Sequence, residues 1–230
     1  MTEIWVVRHG ETPWNVVRRV QGWEDIPLNE KGVEQAQALG KHLATLKATG
    51  DGVDAIYTSD LKRAHHTASI LADSLGLPLN IEPGVRERHF GVLQGLIYGE
   101  MDQHAPEAAK VWRSRDPDAE LPGGESLGFF HQRVVQAIDD IAAKHLGQRV
   151  MVVSHGGAMD IIWRHATQVS LRVPREAPLL NASLNRLSVS KDGWKLINWG
   201  DVRHLERGAS DDITSSGYCR AQHACLIHSA

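Results

Sequence analysis

Two short apolar runs in this chain stop in the same way. Ile4-Trp5-Val6-Val7 is followed by Arg8-His9-Gly10, and Val150-Met151-Val152-Val153 by Ser154-His155-Gly156. Imidazole is the side chain best suited to proton or group transfer near neutral pH. A glycine directly after it permits a tight turn and close backbone approach by a ligand. In open α/β sheets, sites form in the crevice beyond the carboxyl ends of the strands. If the two runs are neighbouring strands, both imidazoles face one pocket. One histidine in such a place reads equally as a surface or a satisfied core residue; two matching placements favour chemistry.

The cations nearby say which chemistry. Arg8 adjoins the first histidine, and Arg63 sits near the start of the segment after "DAIYTSD". A guanidinium is a rigid fork of donors suited to phosphate oxygens. Helix N-termini just beyond the strands would add backbone N–H donors. Two arginines and a second, protonatable histidine would hold a phosphoryl group, and would also depress the pKa of His9, keeping it neutral and nucleophilic. The plainer reading has Arg63 in a surface salt bridge with Asp60, and Arg8 merely ending a strand.

These side chains need a scaffold. Val33, Ala36, Leu39, Leu43 and Leu46 recur at helical spacing within residues 29–47, with Asn29 as the N-cap. Residues 54–59 read as a second short strand. Residues 60–78 read as a helix capped by Asp60 and stopped by Gly76 and Pro78. Four glycines between 84 and 99 predict a series of turns with no long element. Residues 123–147 form an amphipathic helix, 158–168 a further one, and "SLNRLSVS" with "GWKLINWG" a late strand pair turning at Lys191-Asp192-Gly193. Strands alternating with helices define an α/β sheet covered on both faces.

Composition narrows the class. The 230 residues carry a formal net charge of −3, without the basic surplus that non-specific nucleic-acid binding needs. No apolar stretch approaches the ~20 residues of a membrane span, and Met1 to Trp5 lacks the layout of a secretory signal. The two cysteines, Cys219 and Cys225, both lie near the end, so no disulfide framework is expected and a cytoplasmic, reducing compartment is. Seven tryptophans serve either the core or an interface, which leaves a homodimer open.

"RHGETPWN" at residues 8–15 resembles the signature of the histidine phosphatase superfamily, also called the phosphoglycerate mutase-like family. Further matching blocks follow in order: "QGWEDIPLNEKGVEQA", "YTSDLKRAHHTA", "RERHFGVLQG", "PGGES" and "VSHGG". The resemblance implies a three-layer α/β/α sandwich with a mostly parallel central sheet, and a phosphohistidine enzyme that needs no metal. His9 matches the family's nucleophile; Arg8, Arg63 and His155 match its phosphate pocket, with Asn15 assisting. Glu87 matches the position that donates a proton to the leaving oxygen, although between Arg86 and Arg88 it also reads as one of a surface charge cluster. Gln21 and Gly22 are expected to edge the pocket, and Arg88 and Gly156 to join in binding substrate.

The branch follows from departures. "RERHFGVLQGL" resembles the corresponding block of cofactor-dependent phosphoglycerate mutases, in which Arg88 and Arg113 would grip a carboxylate or second phosphate. Tyr98 stands where those enzymes place a lysine, Ser114 where they place the second of two arginines, and Phe90 where they place a tyrosine. Each lost charge-assisted contact is worth about 1.5–3 kcal/mol, and Arg115 is the one residue placed to compensate. The reading is therefore a phosphatase acting on a small phosphorylated metabolite, without cofactor. The alternative is a mutase, which alone would use 2,3-bisphosphoglycerate; a non-catalytic phosphate-binding module comes third. Residues 1–206 form the domain and 207–230 a tail, where Cys219, His223, Cys225 and His228 fit no strong zinc spacing.

Overall fold

The computed structural model describes residues 1–205. The tail from Arg207, with Cys219, His223, Cys225 and His228, lies outside the described residues. In chain order the elements are β1 (Thr2–Arg8), α1 (Pro13–Val16), α2 (Glu30–Ala48), β2 (Ala55–Thr58), α3 (Lys62–Leu75) and β3 (Leu79–Ile81). They continue with α4 (Met101–His104), α5 (Pro106–Ser114), α6 (Leu127–Lys144), β4 (Arg149–Ser154), α7 (Gly156–Thr167), β5 (Leu184–Ser190) and β6 (Gly193–Asp201).

The strands form one sheet in the order β3-β2-β4-β1-β5-β6. The first four run parallel, and the late pair closes one edge antiparallel. The sheet is thus mostly parallel, as the resemblance implied. Parallel strands buried on both faces are continuous apolar runs, and Ile4, Trp5, Val6 and Val7 are all fully buried. Alternation along each strand divides them. Trp5, Val7, Ile56, Met151 and Val153 pack with Leu39, Leu43 and Leu71 of α2 and α3. Ile4, Val6, Val150 and Val152 pack with Phe130, Val134, Ile138, Met159 and Ile162 of α6 and α7. Helices on both faces of one sheet make the three-layer sandwich.

A third, smaller cluster lies apart from both. Val20, Leu93, Met101, Ala108, Ala109 and Leu121 bury one another, with Phe90, Tyr98 and Trp112 packed against them. It gives the irregular stretch after residue 90 a core of its own. The expected series of turns is there as 3₁₀ turns at Pro83–Val85, Gly91–Leu93 and Tyr98–Glu100. The sequence reading missed α5, a nine-residue helix with Pro106 in its first turn, and the three-residue edge strand β3.

Several boundaries also shift. Asn29 caps α2 as expected, its side chain accepting from Gly32 N at 2.8 Å. Asp60 does not cap α3: Leu61 occupies that position without a side-chain bond, and Asp60 instead takes a two-pronged ion pair from Arg86. Gly123 to Glu125 precede α6, whose cap is Ser126. Helix α7 begins at Gly156, directly after His155, and not two residues later.

Gly10 does more than permit a turn. A methyl at Gly10 would fall 2.3 Å from the carbonyl oxygen of Gly32, and one at Gly32 would fall 2.1 Å from that of Glu11. The start of α2 therefore lies directly against the backbone that follows His9.

Candidate active site

Register brings the two histidines together. β1 and β4 pair in parallel with Arg8 opposite Ser154, so the next residue on each strand is His9 and His155. Their rings lie 5.3 Å apart between centroids, and both are buried. Together with Arg8, Asn15, Arg19, Gln21, Gly22, Arg63, Glu87, Phe90, Tyr98, Trp112 and Gly157, His9 lines a small pocket of about 50 Å³.

Hydrogen bonds fix the tautomer of His9. Its Nδ1 lies 2.7 Å from the carbonyl oxygen of Gly10, and a carbonyl can only accept. Nδ1 therefore carries the hydrogen, and Nε2 keeps its lone pair. Burial, then Arg63 and Arg8, hold the His9 pKa well below the ordinary range. Desolvation is the leading cause, where the sequence pointed to the cations. His155 is lowered for the same reasons, burial first and then Arg63, His9 and Arg8. Burial thus favours the neutral form of His155 beside His9. Its Nε2 lies 2.8 Å from Ser59 Oγ, and its Nδ1 has no hydrogen-bond partner among the described residues.

Backbone carbonyls aim the cations. Arg63 is buried and donates from Nη2 to Gly22 O at 2.7 Å and from Nη1 to Glu24 O at 2.9 Å. The surface pairing with Asp60 does not occur, because Asp60 is taken by Arg86. Arg8 donates from Nη1 to the carbonyl of Leu179. Asn15 closes a capping box with Thr12: its Oδ1 accepts from Thr12 N at 2.9 Å and from Thr12 Oγ1 at 3.0 Å. What its amide offers the pocket is therefore the Nδ2 donor.

Glu87 is buried and not part of a surface cluster. Its Oε1 accepts from Arg88 N at 2.8 Å and its Oε2 from Gly157 N at 2.9 Å. Burial raises its pKa against the pull of those two amides and of Arg63 and Arg8. One pocket therefore holds an imidazole held towards its neutral form with its lone pair on Nε2, two guanidiniums and a carboxyl group whose pKa is raised.

Other expected residues lie nearby but not at this pocket. Arg88 donates from Nε and Nη2 to Glu125 O at 3.0 and 2.7 Å, and burial lowers its pKa to about 10. It lines an adjoining cavity of about 290 Å³, with Arg113, Arg115 and Arg175 among its walls. Phe90, Trp112 and Gly157 border both spaces. Gly156 is buried in the first turn of α7, and Gly157 is the glycine that lines the pocket. Arg115 is engaged by Asp160 at 3.0 Å and by Leu171 O at 2.7 Å, so it does not replace the arginine missing at 114. Asn181, the head of a glycosylation sequon, is fully buried and donates to His9 O at 3.0 Å.

Sequence reasoning missed Arg19, Trp112 and Gly157. Arg19 lies 5.4 Å over the Trp14 ring and donates to Gly95 O at 2.6 Å. Nothing local in "NVVRRVQ" separates it from Arg18. Among the described residues, no grouping of three or more histidine, cysteine or acidic side chains is placed to hold a metal ion. No helix there is long and apolar enough to cross a membrane.

A lowered-pKa imidazole at a strand end, two guanidiniums and a buried carboxyl group with a raised pKa, gathered in one pocket of an α/β/α sandwich, are groups suited to the chemistry of phosphate esters. Comparison with known proteins gives the family. The model of the histidine phosphatase superfamily (branch 1) matches residues 4–202, and the chain belongs to that superfamily. It is a phosphoric monoester hydrolase of the histidine phosphatase type. Over 207 residues it is 42% identical to an Arabidopsis thaliana protein named metal-independent phosphoserine phosphatase, covering 89% of this chain and 84% of the relative. It is 41% identical to phosphoglycerate mutase-like protein 4 of the same plant, covering 89% and 87%. A mycobacterial glucosyl-3-phosphoglycerate phosphatase superposes with a TM-score of 0.73 at 29% identity, over 86% of this chain and 98% of that one.

Proposed function

We propose that the enzyme hydrolyses small phosphomonoesters through a phosphohistidine on His9. The observation that carries this is the neutral, lone-pair-bearing Nε2 of His9 sharing one pocket with the protonated-leaning carboxyl of Glu87. His9 Nε2 attacks phosphorus as the bond to the leaving oxygen breaks, and Glu87 gives that oxygen its proton. Phosphorylation leaves the ring cationic, and the Gly10 carbonyl accepting from Nδ1–H stabilises it. Glu87, now a carboxylate, takes a proton from water as the water oxygen bonds phosphorus and the N–P bond breaks. Neutral His9 and protonated Glu87 are then restored. Arg8, Arg63, Asn15 and His155 hold the phosphoryl oxygens, with charge stabilisation and positioning as the main catalytic terms. Gln21 and Gly22 edge the pocket, and no metal or other cofactor takes part.

The leaving alcohol would extend past Phe90 and Trp112 into the arginine-walled cavity. Of its arginines Arg115 is held by Asp160 and Arg113 pairs with Asp102; the cationic wall with Arg88 and Arg175 nevertheless suits an alcohol that carries a carboxylate, and a relative 42% identical is named for phosphoserine. Tyr98 and Ser114 in place of cations weaken the grip a mutase needs on a bisphosphorylated intermediate. This reading treats residues 1–206 as one catalytic domain with a tail after it, acting on a small metabolite in the cytoplasm.

The test is to incubate the enzyme with p-nitrophenyl phosphate, phosphoserine and 3-phosphoglycerate, the last with and without 2,3-bisphosphoglycerate. Released phosphate and 2-phosphoglycerate are both followed. Phosphate release that His9→Ala abolishes is the expected result. Rapid, bisphosphoglycerate-stimulated isomerisation with little phosphate release would establish the mutase instead. Binding of phosphate esters with no turnover would reduce the protein to a binding module.

A further inference from the structure

Glu87 stands on a segment with little structure of its own. After the 3₁₀ turn at Pro83–Val85, residues 86–90 belong to no helix or strand. An acid there works only if something outside the segment sets its backbone. That partner is Arg133, in the second turn of α6, and it is not in the pocket.

Arginine has five N–H donors, and each of Arg133's has an acceptor. Nη1 donates to Gly84 O at 2.9 Å and to Arg86 O at 3.2 Å. Nη2 donates to Glu87 O at 3.2 Å and to Glu125 Oε2 at 2.9 Å, and Nε donates to Glu125 Oε1 at 2.9 Å. Glu125 completes the brace. Its Oε2 accepts from His89 N at 2.8 Å, and its own N–H donates to His89 O at 2.9 Å. Its carbonyl accepts both bonds from Arg88. The pair thus grips residues 84, 86, 87, 88 and 89. Among the described residues, the one other polar hold on the Glu87 carbonyl is Trp23 Nε1 at 2.7 Å.

We infer that Arg133, braced by Glu125, is a positioning residue that sets where the Glu87 carboxyl delivers its proton. This rests on the reading of Glu87 as the acid. Held from behind at its carbonyl, the Glu87 backbone fixes the side chain that the amides of Arg88 and Gly157 then orient. A lysine at 133 would keep the positive charge but offer three donors in place of five, from a single nitrogen.

The experiment measures kcat/KM of the whole enzyme for two substrates. Phosphoserine has an alkoxide leaving group that needs a proton; p-nitrophenyl phosphate has one that leaves without it. Arg133→Lys is expected to lower kcat/KM for phosphoserine about 100-fold and to change it little for p-nitrophenyl phosphate. Glu125→Gln, which keeps size but loses the ion pair, is expected to move the ratio the same way, and carries the test alone if Arg133→Lys fails to fold. Equal losses on both substrates, or no loss in a folded variant, would overturn the positioning role. Glu87→Ala is the discriminating control. If it leaves the ratio unchanged, the assignment of Glu87 as the acid fails; if it shifts the ratio and the other two do not, the inference about Arg133 alone fails.

Discussion

Gly32→Ala tests whether close helix packing sets the position of His9. A methyl at Gly32 would fall 2.1 Å from the carbonyl oxygen of Glu11 and 2.8 Å from its nitrogen, against an ordinary contact that begins at 3.4 Å. Both neighbours are backbone, so neither can rotate away. The start of α2 and the turn after His9 must separate by about an ångström, a strain that costs about 1–3 kcal/mol in an overpacked site. The same displacement moves Nε2 relative to the phosphate held by Arg63 and Arg8. Misplacement of reacting groups by ~1 Å costs on the order of 100-fold in rate. The assay is kcat/KM for p-nitrophenyl phosphate, which needs no proton from Glu87, together with the thermal midpoint by circular dichroism. Gly99→Ala is the control, since a methyl there meets no heavy atom within 4 Å. The double variant with Gly10→Ala should cost less than the sum of the singles, because both methyls enter the same gap. Wild-type activity in Gly32→Ala, or additive losses in the double variant, would refute this packing argument.

Ser59→Ala removes the partner of His155 Nε2 and should lose about 1–3 kcal/mol of stability together with much of the turnover; Ser59→Thr should restore both, by denaturant titration and steady-state assay. The native-state pKa values of His9 and His155 are lowered, so below about pH 6.5 the unfolded chain binds protons that the native state does not. Stability should therefore be lost as pH falls through that region. His155→Gln should flatten the dependence of the urea midpoint on pH, and an unchanged slope would count against a buried neutral ring. The raised pKa of Glu87 has the opposite sign, its stability contribution being lost as pH rises through the folded value. Activity should fall over the same range if its proton is needed for the first step, and the basic limb of kcat/KM for phosphoserine should vanish in Glu87→Ala. Exhaustive treatment with EDTA should leave turnover unchanged if His9 and Glu87 carry both half-reactions as proposed, and a loss restored by added metal would count against that reading.

The sequence by itself determined the strands that carry the site and the residue types at their ends. Parallel strands buried on both faces must be apolar, so "IWVV" and "VMVV" announced themselves, and the histidine-glycine pairs marked where each stopped. Asn29 and Gly76 were legible because helix ends leave backbone groups that only certain residues satisfy. The resemblance to a family then picked out Glu87, which no local pattern separates from its arginine neighbours.

Tertiary structure decided what those residues do to one another. Asp60 reads as a helix cap by its position, yet Arg86, 26 positions along the chain, outcompetes the helix end with two charge-assisted bonds. Which cause dominates at His9 was also hidden, because desolvation depends on how much of the fold closes over the ring and not on the cations beside it. The same holds for Arg19, Trp112 and Arg133. Arg19 reaches the carbonyl of Gly95, 76 positions on, and Arg133 reaches those of Gly84, Arg86 and Glu87, 49, 47 and 46 positions back, while Trp112 enters the pocket wall only once α5 has packed. Spacing along a chain fixes faces and ends of elements; burial and long-range pairing exist only once those elements have met.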